Sequence, residues 1–381
     1  MTLTDARWQV LDYLRDGSTA RRQRLCTTRG ILPVAPVRRS ETGVSVGGVM
    51  VCGSRNCPMC GPRLYSRNRD EIRQCVAAWQ AYGGSVLFGT FTVGHDLTDS
   101  LSGSLTVVTD AWAAVTSGKF WVRDRRDHGV THWVRVLEEK YSETTGWHAH
   151  LHWLAFVEPG HATSASALLR SMLRRWSRSA ESAGRRVSDR AQDLHEVVGV
   201  DAERVLGDYF TKQAEDRGRL TPDAMAHELA SRSTKRSGTS ITPAELQLLA
   251  ALGGDRKWQL LYAEYERATA GRRVIAFSRG LRDFAGVGDE QDPWAVSAEE
   301  TAKEGSVALL LRGRDVRKAM SRALRREFVG VVLADGGAAA VSWLEDRGMT
   351  GFMPDERSTL DEPATSFGPA IAPEYEGALP W

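Results

Sequence analysis

No stretch of this 381-residue chain reaches the ~20 consecutive apolar residues that a membrane-spanning helix needs. The longest candidate, Val329 to Leu344, is broken by Asp335 and the Gly336-Gly337 pair. The opening residues, MTLTDARWQV, lack the basic start and apolar stretch of a secretory signal. Cysteine is scarce: there are five, an odd number, which argues against a disulfide-stapled secreted scaffold. These absences together predict a soluble cytoplasmic protein with no membrane partner. Hydrophobic residues are not lacking. At 42% of the chain, with twelve Trp, they exclude wholesale disorder, and the length suits two or three folded units.

Net charge is small, +2, but unevenly spread. Residues 286–381 carry ten Arg/Lys against seventeen Asp/Glu, which leaves a balance of +9 in residues 1–285. A basic body with an acidic tail often accompanies nucleic-acid binding. Such imbalances also occur on plain solvated surfaces, so charge alone assigns nothing. The same holds for Arg174, Arg175, Arg178, Arg185 and Arg186, which could follow a DNA backbone or simply face water.

The periodicity predicts helices at 4–24, 63–82, 104–117, 165–183, 201–215, 244–252 and 258–270. Strands are expected at 86–93, 132–138 and 147–157, the last two joined as a hairpin by a polar turn at 141–146. Residues 26–62 are rich in Gly, Pro and Cys and show no sustained periodicity. Beyond Phe284 a helix at 313–328 and a strand at 329–333 are expected, and the acidic, Pro-rich stretch 351–381 is expected to be disordered.

The sharpest motif is Trp147-His148-Ala149-His150-Leu151-His152-Trp153. Alternate strand residues share a face, so the three imidazoles point one way and can converge on one cation. The bland alternative is a row of exposed histidines with no role. A carboxylate would complete the site, and the preceding strand ends in Glu138-Glu139. A turn centred on Thr144 sets Glu138 opposite His150; a one-residue slip would offer Glu139 instead. A mixed nitrogen and oxygen donor set suits Mg²⁺ or Mn²⁺ acting on a phosphate, although histidine-rich sites also take Zn²⁺.

Tyr209 and Lys212, three apart, share one face of the helix that Asp201 is placed to cap. A phenol can be a covalent nucleophile, and a neighbouring ammonium lowers its pKa and balances phosphate charge. Alone, such a pair is ordinary surface decoration. Cys52, Cys57 and Cys60, with four and two residues between them, have spacing that suits zinc, and three thiolates need a fourth ligand, for which Cys26 is the first candidate. Reduced thiols in a loop are the alternative. Cys75, inside a helix, reads as a buried thiol.

In order along the chain, Phe88-Gly89-Thr90-Phe91-Thr92-Val93-Gly94-His95, the histidine strand and Tyr209-Phe210-Thr211-Lys212 resemble the three motifs of HUH endonucleases. More closely, they are similar to the rolling-circle replication initiators (Rep proteins) of bacterial plasmids. The resemblance spans roughly residues 50–285 and takes in Cys52 to Cys60 and Trp258 to Arg282. It implies an α+β fold: a central antiparallel β-sheet flanked by helices, with an N-terminal cysteine/zinc module and a helical C-terminal part. The implied division is 1–82 for the N-terminal helix and zinc module, and 83–285 for a nicking-joining domain with a helical extension. A small acidic α/β region at 286–350 and a tail at 351–381 follow.

The resemblance further implies His150 and His152 as metal ligands with Glu138 third, and His148 as a further ligand or phosphate contact. His95 is the family's less regular extra. Tyr209 would attack the scissile phosphate of plasmid origin DNA, giving a 5′-phosphotyrosine and a 3′-hydroxyl primer, with Lys212 stabilising charge. Host helicase and polymerase are the implied partners, with Mg²⁺ or Mn²⁺ catalytic and Zn²⁺ structural. One departure stands out: where related initiators carry a Glu one turn before the tyrosine, this chain has Val205, with Glu203 and Asp208 the nearest acids. Rival readings are a relaxase- or transposase-type enzyme of a mobile element, a metallohydrolase that ignores Tyr209, and a non-catalytic zinc-containing DNA-binding regulator.

Overall fold

The computed structural model describes residues 3–40, 43–161, 164–196, 240–288 and 305–354. Tyr209, Lys212 and the whole 201–215 segment lie outside the described residues, as do 355–381 of the tail. The strands are β1 (Val34–Ser40), β2 (Gly43–Val46), β3 (Ser85–Thr92), β4 (Val130–Ser142), β5 (Gly146–Val157), β6 (Asp193–Glu196), β7 (Ile275–Phe277), β8 (Ser306–Arg312) and β9 (Gly351–Phe352). The principal helices are α1 (Leu3–Gly17), α2 (Gly61–Ala81), α3 (Leu101–Val115), α4 (Gly118–His128), α5 (Ala165–Ser182), α6 (Pro243–Leu252), α7 (Arg256–Thr269), α8 (Arg325–Ala334) and α9 (Gly336–Glu345). The fold is α+β, with antiparallel sheets flanked by helices. The chain forms two compact units, Met1–Thr27 with Met50–Glu299, and Thr28–Val49 with Glu300–Trp381.

The first unit is built on a five-stranded antiparallel sheet in the order β6-β3-β5-β4-β7. Central β5 is buried at every position except His148. Its odd residues, Ala149, Leu151, Trp153, Ala155 and Val157, join the core made by Leu105, Val108 and Trp112 of α3 and Leu168, Met172 and Trp176 of α5. Phe91 stacks between Trp153 and Trp176, with centroids 5.7 and 4.7 Å away. Removing such a buried Trp costs about 3–5 kcal/mol. On the opposite face Leu154 and Phe156 pack against Ile72, Val76 and Trp79 of α2. That apolar patch ends where the even-numbered histidines begin. Gly89 is demanded by this packing, because a Cβ there would sit 2.5 Å from Trp153 Nε1.

Local signals set the helix ends. Ser100 Oγ accepts from Gly103 N before α3, Ser164 Oγ from Ala167 N before α5, and Asp255 from Lys257 N before α7. Thr242 and Glu245 form a capping box ahead of α6. The β4–β5 hairpin closes at Gly146, whose φ of +78° is glycine territory and whose Cβ would meet Asp96 O at 2.7 Å.

The second unit has a four-stranded antiparallel sheet, β2-β1-β8-β9, with Ala35, Val37, Leu309, Leu311, Phe328, Val332, Ala340 and Leu344 among its buried side chains. Three expectations change here. Residues 34–40 and 43–46 are strands, not irregular chain: they pair with each other as a hairpin, and β1 finds a second partner far along the sequence, where Val37 pairs with Leu309. The expected strand at 329–333 is part of α8, since a helix puts Arg325, Phe328 and Val332 on one buried face, which an alternating strand cannot. The expected 313–328 helix is instead broken into short turns before α8 begins. Gly351–Phe352, at the head of the tail, pairs with Leu311 and Leu310.

Candidate metal centres

β4 and β5 pair so that Glu138 lies directly opposite His150, Val136 opposite His152 and Lys140 opposite His148. Even residues of both strands share a face, so a carboxylate and three imidazoles emerge side by side. Glu139, paired with Ala149, takes the other face and is buried. On the far side of β5, β3 pairs Thr90 with His152 and Thr92 with His150.

Glu138 Oε2 lies 2.9 Å from His152 Nε2 and 3.2 Å from His150 Nε2, and the two Nε2 atoms are 3.1 Å apart. A six-coordinate ion with bonds of about 2.1 Å separates adjacent ligands by about 3.0 Å, so these edges fit one cation. Among the described residues the donors that converge are those of Glu138, His150 and His152. His148 stands beside the group: its Nε2 is 2.8 Å from Thr92 Oγ1, and its ring stacks on His95 at 4.6 Å.

The electrostatics suit metal binding. Burial opposes an ionised Glu138, yet His150 and His152, with Lys140 Nζ 2.9 Å from Oε1, hold its carboxyl far below the usual carboxylate range. Burial, helped by His150 and His95, pulls His148 down to about 4. Burial also lowers His152, against the upward pull of Glu138. His148 and His152 are therefore neutral at neutral pH, the form in which imidazole binds a metal. Thr90 Oγ1 lies 2.9 Å from His152 Nδ1 and Phe88 stacks on the same ring at 5.6 Å, which fixes its orientation. The buried His150 Nδ1 has no hydrogen-bond partner among the described residues.

A second donor set lies in the loop before α2 and at the end of the 21–24 turn. Cys26, Cys52, Cys57 and Cys60 are all buried and free. Their sulfurs are 3.6 Å apart for Cys26–Cys57 and 3.7 Å for both Cys26–Cys60 and Cys52–Cys60. Zinc–sulfur bonds of about 2.3 Å in a tetrahedron give sulfur separations of about 3.8 Å, so four thiolates fit here around one zinc. Burial pushes the Cys57 thiol well above its ordinary value, so metal binding there must displace protons. Cys75 is elsewhere, buried in α2, with its thiol pushed up to about 12 by burial and by Glu71.

Asn56, inside the cysteine loop, ties it to the helices. Its backbone oxygen accepts from Gln23 and Gln247 Nε2 at 3.0 and 2.6 Å, its Nδ2 donates to Thr269 Oγ1, and its Oδ1 accepts from Tyr265 OH. Sequence reasoning missed Asn56, Thr90, Thr92 and Lys140. For the threonines a signal existed: they alternate along the strand that carries the first of the three motifs. Of the arginines weighed as DNA contacts, Arg175 is committed to Asp124 and Arg185 to Asp99.

Comparison with known proteins adds three findings. Residues 44–309 match the family described as "Replication protein". The chain is 28% identical over 317 residues to "Protein rep" of Streptomyces lividans, covering 66% of this chain and 67% of that one. No solved structure matches. The matched segment takes in Glu138, all three β5 histidines, Cys52, Cys57, Cys60 and Tyr209, but not Cys26.

Proposed function

The chain belongs to the replication-protein family, and from that membership we propose that it initiates rolling-circle replication of a plasmid by nicking and rejoining one strand of origin DNA. The observation that carries the reading is the meeting of Glu138, His150 and His152 at edges of 2.9 to 3.2 Å, preceded by a strand and followed by a tyrosine in motif order. Their mixed nitrogen and oxygen donor set suits Mg²⁺ or Mn²⁺.

When bound, the ion supplies Lewis acidity to a non-bridging oxygen of the scissile phosphate. Glu138, His150 and His152 hold it, and Thr90 keeps the His152 ring turned towards it. His150 and His152, with Lys140, keep Glu138 ionised. Tyr209 supplies the nucleophile: its phenol loses a proton, its oxygen bonds to phosphorus, and the bond from phosphorus to the 3′-oxygen breaks. That oxygen takes up a proton and becomes a 3′-hydroxyl primer, while the 5′-phosphate stays on Tyr209. One phosphodiester replaces another, so the strand can be rejoined without an energy source. Lys212 balances phosphate charge. The four cysteines hold a structural Zn²⁺, and host helicase and polymerase extend the primer.

The test uses a single-stranded origin oligonucleotide labelled at its 3′ end, with Mn²⁺. A labelled covalent adduct is expected, absent in Tyr209→Phe and in EDTA. Cleavage that survives in Tyr209→Phe would move the reading to a metallohydrolase, and binding without cleavage by the unaltered protein would move it to a regulator.

A further inference from the structure

The acid surplus of residues 286–381 is unevenly spread along the sequence. Residues 289–304 and 355–381 together hold twelve Asp/Glu and two Lys/Arg, whereas residues 305–354 hold eight Lys/Arg and five Asp/Glu. Seven of those eight cations fall within 312–326, beside the single acid Asp315. The segment runs from the end of β8 through short turns into α8, beyond the last residue matched by the family, 309.

Its side chains are sorted by type. Val316, Ala319, Met320, Phe328 and the one inward cation, Arg325, are buried, while Arg312, Arg314, Arg317, Lys318, Arg322 and Arg326 are exposed. Within and beside the segment, Asp315 Oδ2 accepts from Thr350 N and Glu327 takes Arg347 and Trp343 Nε1, while Lys318 donates to Arg347 O and Arg312 lies over the Phe352 ring. We propose that the Arg312–Arg326 segment is a second nucleic-acid surface, one that grips the phosphate backbone of duplex DNA without reading its sequence.

Three features select that partner. The surface is Arg-dominated, and guanidinium pairs bidentately with phosphate. Val316, Ala319 and Met320 are buried, Leu324 is half-buried and the exposed Ala323 is small, so no large apolar wedge is offered to a lipid surface. Six cations on about fifteen residues match a polymer of closely spaced charge, where each neutralised phosphate releases a counterion. The attachment would hold the protein on the plasmid while the other unit acts on a single strand.

The test measures binding of the full-length chain to a 30-base-pair duplex lacking the origin, by fluorescence anisotropy across a KCl series. Each phosphate contact contributes about 0.9 to the slope of log affinity against log salt. The triple variant Arg314→Ala/Arg317→Ala/Arg326→Ala should therefore lose about 2 to 3 from the slope and bind more than tenfold more weakly at 0.1 M KCl. Arg→Lys at the same three positions should keep the slope, and Arg126→Ala on α4 should leave it unchanged. Cleavage of a single-stranded origin oligonucleotide should be unaffected, which separates this surface from the nicking chemistry. An unchanged slope in the alanine variant, a slope lost equally in the lysine variant, or no duplex binding by the unaltered chain would overturn the proposal.

Discussion

Thr90→Val isolates one hydrogen bond beneath the divalent centre. With His152 Nε2 serving as ligand, Nδ1 carries the proton and donates to Thr90 Oγ1 across 2.9 Å. Valine keeps the shape of threonine and removes that acceptor from a ring that is only 4% exposed. Loss of such a support lowers metal affinity by about 10–100-fold. Calorimetric titration of the full-length protein with Mn²⁺ should show a drop in that range, and raising Mn²⁺ should restore cleavage. Thr92→Val is the internal control. It removes the partner of His148, which stands outside the converging donors, so its Mn²⁺ affinity should change by less than about threefold. Equal affinities for Thr90→Val and the unaltered protein would refute the claim that Thr90 orients a ligand.

Cys57→Ser should abolish bound zinc and lower the melting temperature by several degrees, while Mn²⁺ affinity stays within about threefold; zinc retained in this variant would remove Cys57 from the set. Gly89→Ala should cost about 1–3 kcal/mol in urea unfolding, because the new methyl meets Trp153 Nε1 at 2.5 Å. Acid should weaken the metal-free protein in two stages. His148 stays neutral in the fold down to about 4 but protonates when unfolded near its ordinary 6.5, so the unfolded chain binds more protons and stability falls as pH drops through that window. Glu138, held low, adds stability that is present above its ordinary 4.5 and is lost below it. The urea midpoint should follow this course, with a shallower fall in His148→Gln.

Much of the first unit was legible because its signals are local. The turn around Thr144 fixes which of Glu138 and Glu139 faces the histidines, since strand parity leaves no intermediate choice. The spacing of Cys52, Cys57 and Cys60 pointed to a metal site, and the fold brings Cys26 to it. The second unit was hidden for the converse reason. β1 and β2 make only a short local hairpin, and the ladder that builds it into a sheet, β1 to β8, closes a loop across most of the chain. The run Val329 to Leu333 has strand-like composition, yet burial of Phe328 and Val332 one turn apart decides for helix. Averaging charge over 286–381 also concealed the basic Arg312–Arg326 segment between two acidic stretches.

Pulsed electron paramagnetic resonance of Mn²⁺ in the covalent adduct with origin DNA tests the centre of the account. Two histidine nitrogens and the phosphorus of the Tyr209-linked phosphate should couple to the same ion, with one nitrogen lost in His152→Ala. Nitrogen coupling without phosphorus, or phosphorus without nitrogen, would contradict a single site in which Glu138, His150 and His152 serve the tyrosine.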